Sequence, residues 1–325
     1  MVKSDVLAEN PLGDPAQRPL YVYRSPGAGG GSGAGSGAPA IYVLQGYTGQ
    51  LDMWLARKAF EPTIVERVDA MFGAGGSPDL VVVFVDAWTS LGGSQFLNSS
   101  GTGRYMDYLC DEVVPFIESR YGTGLRGVAG HSSGGYGAIV NAMQRPEVFS
   151  AFASHAGDAL FECCYLPDFR EVARTLRDHF DGSFELLLER LPDADPFDYR
   201  RFGQPLSIYA MAAAYSPDPE RPGRALLPFE VATGRLIPEV WERWLAHDPV
   251  RMAPRYAEAL RSMRRIWLDA GRSDEYYLDL GTQAFALELD RVGARYTLEL
   301  FDGRHGGVAH RYPAAIRELA LALSA

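Results

Sequence analysis

Cysteine is scarce in this chain of 325 residues: there are three, Cys110 and the adjacent pair Cys163 and Cys164. An odd count with one vicinal pair is poor material for a disulfide framework, so a reducing, cytoplasmic setting is expected. The vicinal pair reads as plain buried thiols rather than a redox device. No apolar run approaches the length of a membrane span, and Met1 to Asn10 lacks the apolar core of a signal peptide. No stretch is rich in lysine and arginine, and the formal net charge is −10. That balance argues against a surface for nucleic acid or anionic membrane. No His/Cys/Asp cluster has metal-ligand spacing and no glycine loop has a phosphate-cradling pattern, so no metal and no cofactor are expected. There is no internal repeat.

What remains is an ordinary globular composition, 47% hydrophobic, with ample length for a large core. Strands are expected over 18–24, Ile41–Leu44, Leu80–Val85, Leu125–Ala129, Phe149–Ser154, Arg265–Asp269 and Tyr296–Phe301. Leu80–Val85 is continuously apolar, as a central parallel strand covered on both faces would be. Helices are expected over Met53–Met71, Tyr105–Tyr121, 276–292 and from Pro313 onward. Strands alternating with helices imply an α/β, doubly wound, mainly parallel sheet. Gly27–Pro39, nearly all Gly, Ser and Ala, reads as a flexible connection. The alternation stops over 157–262, where helices are expected around 168–190, 205–215 and 238–263. The expected organisation is a core of 1–156 and 263–325 carrying an inserted helical cap, 157–262.

The sharpest local signal is Gly130-His131-Ser132-Ser133-Gly134, after an apolar strand and before a helical stretch. That is the nucleophile elbow of the α/β-hydrolase fold, with Ser132 at the apex and Gly130 and Gly134 where side chains would clash. A serine needs a base, and the base an orienting acid, in the chain order Ser, Asp/Glu, His. Of the six histidines, His131 lies inside the elbow and is expected to point away from the nucleophile; His155 precedes the expected acid; His179 and His247 fall in the cap. His305, directly off the last strand, is favoured over His310 as the base. Asp269, Asp274 and Glu275 compete for the acid. Asp274, past a glycine turn, is favoured; Asp269 is the candidate for a buried paired group, and Glu275 for a helix cap. The oxyanion donors are expected to be the backbone N–H groups of Ser133 and of Tyr47, the latter in the loop Gln45-Gly46-Tyr47. Gly46, Trp88, Phe96, Phe161 and Tyr165 are expected to line the substrate pocket, and the cap, with Tyr209, Trp241 and Trp244, to roof it. Aromatic residues in such places also serve as plain packing.

Six segments together resemble a known family: Leu44-Gln45-Gly46-Tyr47-Thr48-Gly49; Gly93 to Ser99; Glu112 to Ile117 before Arg120-Tyr121; the elbow with its double glycine; Ala270 to Asp274; and Asp302 to Gly307. The chain is similar to the Putative esterase family of α/β-hydrolases, which includes esterase D (S-formylglutathione hydrolase), enterochelin esterase, feruloyl and acetylxylan esterases and the antigen 85 mycolyltransferases. Gln45 departs from the histidine many members carry, and 157–262 is unlike the short connections of esterase D. The expected activity is that of a serine carboxylic-ester hydrolase acting through an acyl-enzyme on a small or medium acyl or aryl ester. An acyltransferase using the same intermediate and a silent binding protein on the same fold are the alternatives. The expected partner is a small-molecule ester, with no nucleic acid and no membrane; a homodimer is allowed.

Overall fold

The apolar runs Ala40–Leu44 and Val81–Val85 are buried at every position, which requires a sheet covered on both faces. The computed structural model has such a sheet. It describes residues 1–28, 37–191 and 198–325, the side chains of 198–201 excepted, so most of the glycine-rich Gly27–Pro39 connection lies outside the described residues. The sheet strands are β1 (Leu20–Arg24), β2 (Ala40–Leu44), β3 (Val81–Val85), β4 (Arg126–His131), β5 (Ala151–His155), β6 (Arg265–Gly271) and β7 (Thr297–Phe301). Their order is β7-β6-β5-β4-β2-β3-β1. Only β1, paired with β3 at the edge, is antiparallel. The register sets Leu44 beside Gly130, His131 beside His155, and His155 beside Asp269. The carboxyl ends of the central strands therefore share one edge, where an open α/β sheet builds its site.

Helices α1 (Ile64–Gly73), α2 (Val114–Tyr121) and α3 (Ser133–Gln144) precede the insertion. The insertion contains α4 (Phe161–Cys164), α5 (Phe169–His179), α6 (Phe184–Arg190), α7 (Asp198–Tyr215), α8 (Pro238–Leu245), α9 (Pro249–Met252) and α10 (Ala257–Ser262). After it come α11 (Leu278–Val292) and α12 (Tyr312–Ser324). One face of the sheet is covered by α1 and α12, through Ile64, Val68, Ile316 and Leu319. On the other, Ile139, Val140, Phe285 and Leu289 of α3 and α11 join the apolar side of the insertion in one continuous core. This is the α/β-hydrolase architecture. No helix among the described residues is long and apolar enough to cross a membrane.

Three local expectations change. The single helix expected over Met53–Met71 is a 3-10 turn, Leu51–Trp54, followed by irregular chain and then α1. Pro62 disfavours helix before it. Thr63 and Glu66 form a capping box, Thr63 Oγ1 accepting from Glu66 N at 3.2 Å and the Glu66 carboxylate from Thr63 N at 2.7 Å, which fixes the start one residue later. The helical stretch from Tyr105 contains a π-helical turn at Tyr108–Val113 before α2. The insertion also returns to the core before residue 262, because α9 and α10 lie against α3 and α11. Asp248 ties that return: its carboxylate accepts the N–H groups of Leu160, Phe161 and Val250, each at 3.0 Å.

Backbone crowding under the elbow gives the first testable outcome. A Cβ on Gly134 would stand 2.3 Å from Leu44 O, whereas one on Gly73 at the end of α1 meets nothing within 4 Å. Gly134→Ala is expected to cost about 1–3 kcal/mol or more in urea unfolding and Gly73→Ala close to nothing. Equal midpoints for the two variants would contradict this packing.

Candidate active site

At the end of β4 the chain turns sharply enough to hold Ser132 at φ 58°, ψ −127°. A non-glycine residue there carries of order 1–3 kcal/mol of strain, so its surroundings must impose it. They do so by contact: a Cβ on Gly130 would meet the Gly134 carbonyl carbon at 2.3 Å, and one on Gly46 would stand 3.6 Å from Ser132 Cβ. Ser132 N–H donates to His155 O at 3.0 Å, which fixes the elbow to β5. Ser133 opens α3, so the positive end of that helix lies beside Ser132.

Two loops bring the other groups in. Asp274 follows β6 and His305 follows β7. His305 Nε2 lies 3.1 Å from Ser132 Oγ, and His305 Nδ1 lies 2.8 Å from Asp274 Oδ2. Because the carboxylate can only accept, Nδ1 carries the proton and Nε2 is left to accept from the serine hydroxyl. The Asp274 side chain has no exposure, and its Oδ1 accepts from Tyr276 N at 2.9 Å. His305 is held at both backbone groups: its N–H donates to Glu275 Oε2 at 3.0 Å, and its carbonyl accepts from His131 Nε2 at 2.9 Å. Its ring lies between those of His131 and Tyr276, with centroids 4.4 and 4.8 Å away.

These contacts correct two expectations. His131 does not point away from the nucleophile; it packs on His305 and reaches the same cleft, because the carbonyl of the His305 loop offers its ring nitrogen a partner. Glu275 holds the His305 loop, while Tyr277 stands at the start of α11. Asp269 is wholly buried and bonded to His155 Nδ1 (2.8 Å), Trp267 Nε1 (2.8 Å) and Arg311 Nε (3.2 Å). Burial alone would raise its carboxyl, but these partners hold it below the usual carboxylate range. His310 bonds the Gly307 carbonyl and lies outside the cleft.

Ser132 and His305 open on a cleft of about 640 Å³, a size suited to a small molecule, with Asp274 buried behind His305. Gly46, Tyr47 and Ser133 line it, as do Tyr165, Asp168, Gln204, Ser207 and Met211 from the insertion. Other expected lining residues are elsewhere. Phe96 and Phe161 are 2% and 0% exposed and outside the cleft. Phe96 packs where a Gly137 side chain would be, and Phe161 packs among Tyr136, Tyr165 and Tyr215. Trp88 borders a separate cleft with Arg18 and Asp86. Tyr209, Trp241 and Trp244 are packed inside the insertion rather than over Ser132. Asp158, Gln204 and Met211 are lining residues that sequence reasoning missed. Asp158 was within reach of it, since it follows a strand that ends at the site edge. Among the described residues no group of three or more His, Cys, Asp or Glu is placed to hold a metal.

A family model described as "Putative esterase" matches residues 31–314. A solved ferulic acid esterase superposes with a TM-score of 0.57 at 18% identity, covering 99% of this chain and 95% of its own. For Mycobacterium tuberculosis MPT51 (FbpC1) the values are 0.56, 17%, 99% and 97%. An S-formylglutathione hydrolase from Agrobacterium tumefaciens gives 0.55, 15%, 99% and 93%. At such identities these structures speak for the fold alone. No curated protein matches the chain in sequence.

Burial, with His305 nearby, pulls the His131 imidazole down to about 3, and burial also lowers His247. Both resist protonation in the folded state more than an unfolded histidine does. Their contribution to stability is therefore complete above pH 6.5 and is lost as pH falls below it. Between pH 7 and 5 the loss of stability expected from His131 alone reaches about 2 kcal/mol. Urea titrations at the two pH values check this: His131→Gln should flatten the slope, and an unchanged slope would remove His131 from the account.

Proposed function

The chain belongs to the Putative esterase family and is a serine ester hydrolase by that membership; we propose that Ser132 is its nucleophile, His305 its general base and Asp274 the orienting acid. The observation that carries this assignment is the relay Ser132 Oγ–His305 Nε2–Asp274 Oδ2, 3.1 and 2.8 Å long, at a strained elbow beside a cleft. Ser132 Oγ attacks the ester carbonyl and His305 Nε2 takes its proton. Asp274 keeps the imidazole in the required tautomer and stabilises the imidazolium. Ser133 N–H, at the start of α3, and the Gly46-Tyr47 loop beside Ser132 stabilise the oxyanion. His305 returns the proton to the departing alcohol. It then activates water, which releases the acid and restores Ser132.

The cleft size and the residues closing it favour a small or medium acyl or aryl group. Met211, Gln204 and Tyr165 come from the insertion and line the cleft together with Ser132 and His305, so the insertion bounds the space beside the serine.

Two measurements test these readings. Ser132→Ala and His305→Ala should each lower kcat by several orders of magnitude, with the double variant scarcely worse, and Asp274→Asn should lower it about 10⁴-fold. Ordinary turnover and fluorophosphonate labelling of Ser132→Ala would sink the assignment. Along a series of 4-nitrophenyl esters, the rate should peak at short acyl chains and the peak should move to longer ones in Met211→Ala. A series indifferent to length in both proteins would remove the roof.

A further inference from the structure

Asp158 is an ionisable group in the cleft that has no part in the relay. Asp158 lies in the turn after β5, at 6% exposure, and lines the cleft beside Ser133. Its Oδ2 accepts from Tyr165 OH at 2.7 Å, Gln95 Nε2 at 3.0 Å and Ser133 Oγ at 3.4 Å. All three donors are neutral. Its Oδ1 accepts no hydrogen bond among the described residues. No arginine or lysine among the described residues lines the cleft.

A buried carboxylate without a cation is expensive, because neutral donors return only part of its lost hydration. Burial raises the Asp158 carboxyl, and the Tyr165 and Gln95 hydrogen bonds, the charge His305 can carry, and the Ser133 hydrogen bond work against that rise. Convergence of three donors on one oxygen fixes the side chain and leaves the second oxygen for the contents of the cleft. Ser133 directly follows the nucleophile, so whatever meets Asp158 sits close to the reacting carbonyl. A second cleft carboxylate, Asp168, adds to the same sign.

We infer that Asp158 is a specificity-determining residue that receives a cationic nitrogen, so that the preferred ester carries an ammonium group near its scissile carbonyl. This rests on the ester-hydrolase reading above. Ion pairing with Oδ1 supplies the counter-charge that no described arginine or lysine of the cleft lining provides, and the cleft correspondingly disfavours anionic esters.

Two isosteric pairs test it on the intact enzyme at pH 7 and low salt. One is 4-nitrophenyl β-alaninate against 4-nitrophenyl butanoate, with the cation on the acyl side. The other is choline acetate against 3,3-dimethylbutyl acetate, with the cation on the alcohol side. The wild-type kcat/KM should favour the cation at least tenfold in one pair, and Asp158→Asn should bring that ratio close to one. A smaller preference in both pairs overturns the inference, as does a tenfold preference that survives in Asp158→Asn. Thermal melting and fluorophosphonate labelling establish that the variant is folded. Should it not fold, the wild-type enzyme decides: n-butylammonium should inhibit butanoate hydrolysis at least tenfold more strongly than 1-butanol, and comparable inhibition overturns the inference. Turnover of the neutral esters without a cation preference defeats this inference alone, whereas absence of any turnover or labelling brings down the hydrolase reading with it.

Discussion

Beneath Ser132 three pieces of backbone approach more closely than any side chain would allow. Gly130 faces Gly134 across the turn, and Gly134 faces the carbonyls of Leu44 and Gln45 on the neighbouring strand. This crowding stores strain in one residue and holds it there, since relaxing Ser132 to an ordinary φ would require β4 and α3 to separate. Everything chemical about the site is downstream of it. Ser132 Oγ is exposed because the turn is tight, the N-terminus of α3 is at hand because the turn ends in a helix, and the Gly46 loop is adjacent because β2 pairs with β4.

A rigid serine is of little use if its base wanders, and His305 sits on a loop. The structure answers with backbone restraints rather than apolar burial: Glu275 on its N–H, His131 on its carbonyl, Asp274 on its ring. Further along the same loop, Arg311 bonds Asp269, which also holds His155. His155 in turn gives its carbonyl to Ser132 N–H. Ser132 and the far end of the His305 loop are thus tied to one buried polar group, so the distances between Ser132 and His305 are set from both sides.

The strand and helix alternation was legible because buried parallel strands leave continuous apolar runs, as in Val81–Val85, and the elbow because two glycines flank a serine at a strand end. The choice of His305 followed from chain order and its place off the last strand, and its Nε2 stands 3.1 Å from Ser132 Oγ. The pocket was not legible. Phe96 and Phe161 lie in segments that reach the active-site edge, but which side of a short turn faces the cleft depends on packing among distant rings such as Tyr136 and Tyr215, and no local periodicity records that. His131 was misread for a related reason: its partner is a backbone carbonyl 174 positions away. The Thr63 cap was readable, yet the apolar spacing before Pro62 masked it.

Three buried aspartates near the site show how differently the fold treats one side chain. Asp274 is matched to the His305 imidazole, and in the proposed reaction its charge meets the imidazolium formed when Ser132 attacks. Asp269 is matched permanently, by Arg311 and His155, and its carboxyl is held low. Among the described residues Asp158 accepts hydrogen bonds from hydroxyls and an amide, and burial pushes its carboxyl up. The first two satisfy the rule that a buried charge needs a partner, one in the transition state and one in the ground state. For the third, the described residues supply dipoles to a single oxygen and no arginine or lysine to the cleft lining, so the remaining electrostatic demand falls on whatever the cleft admits.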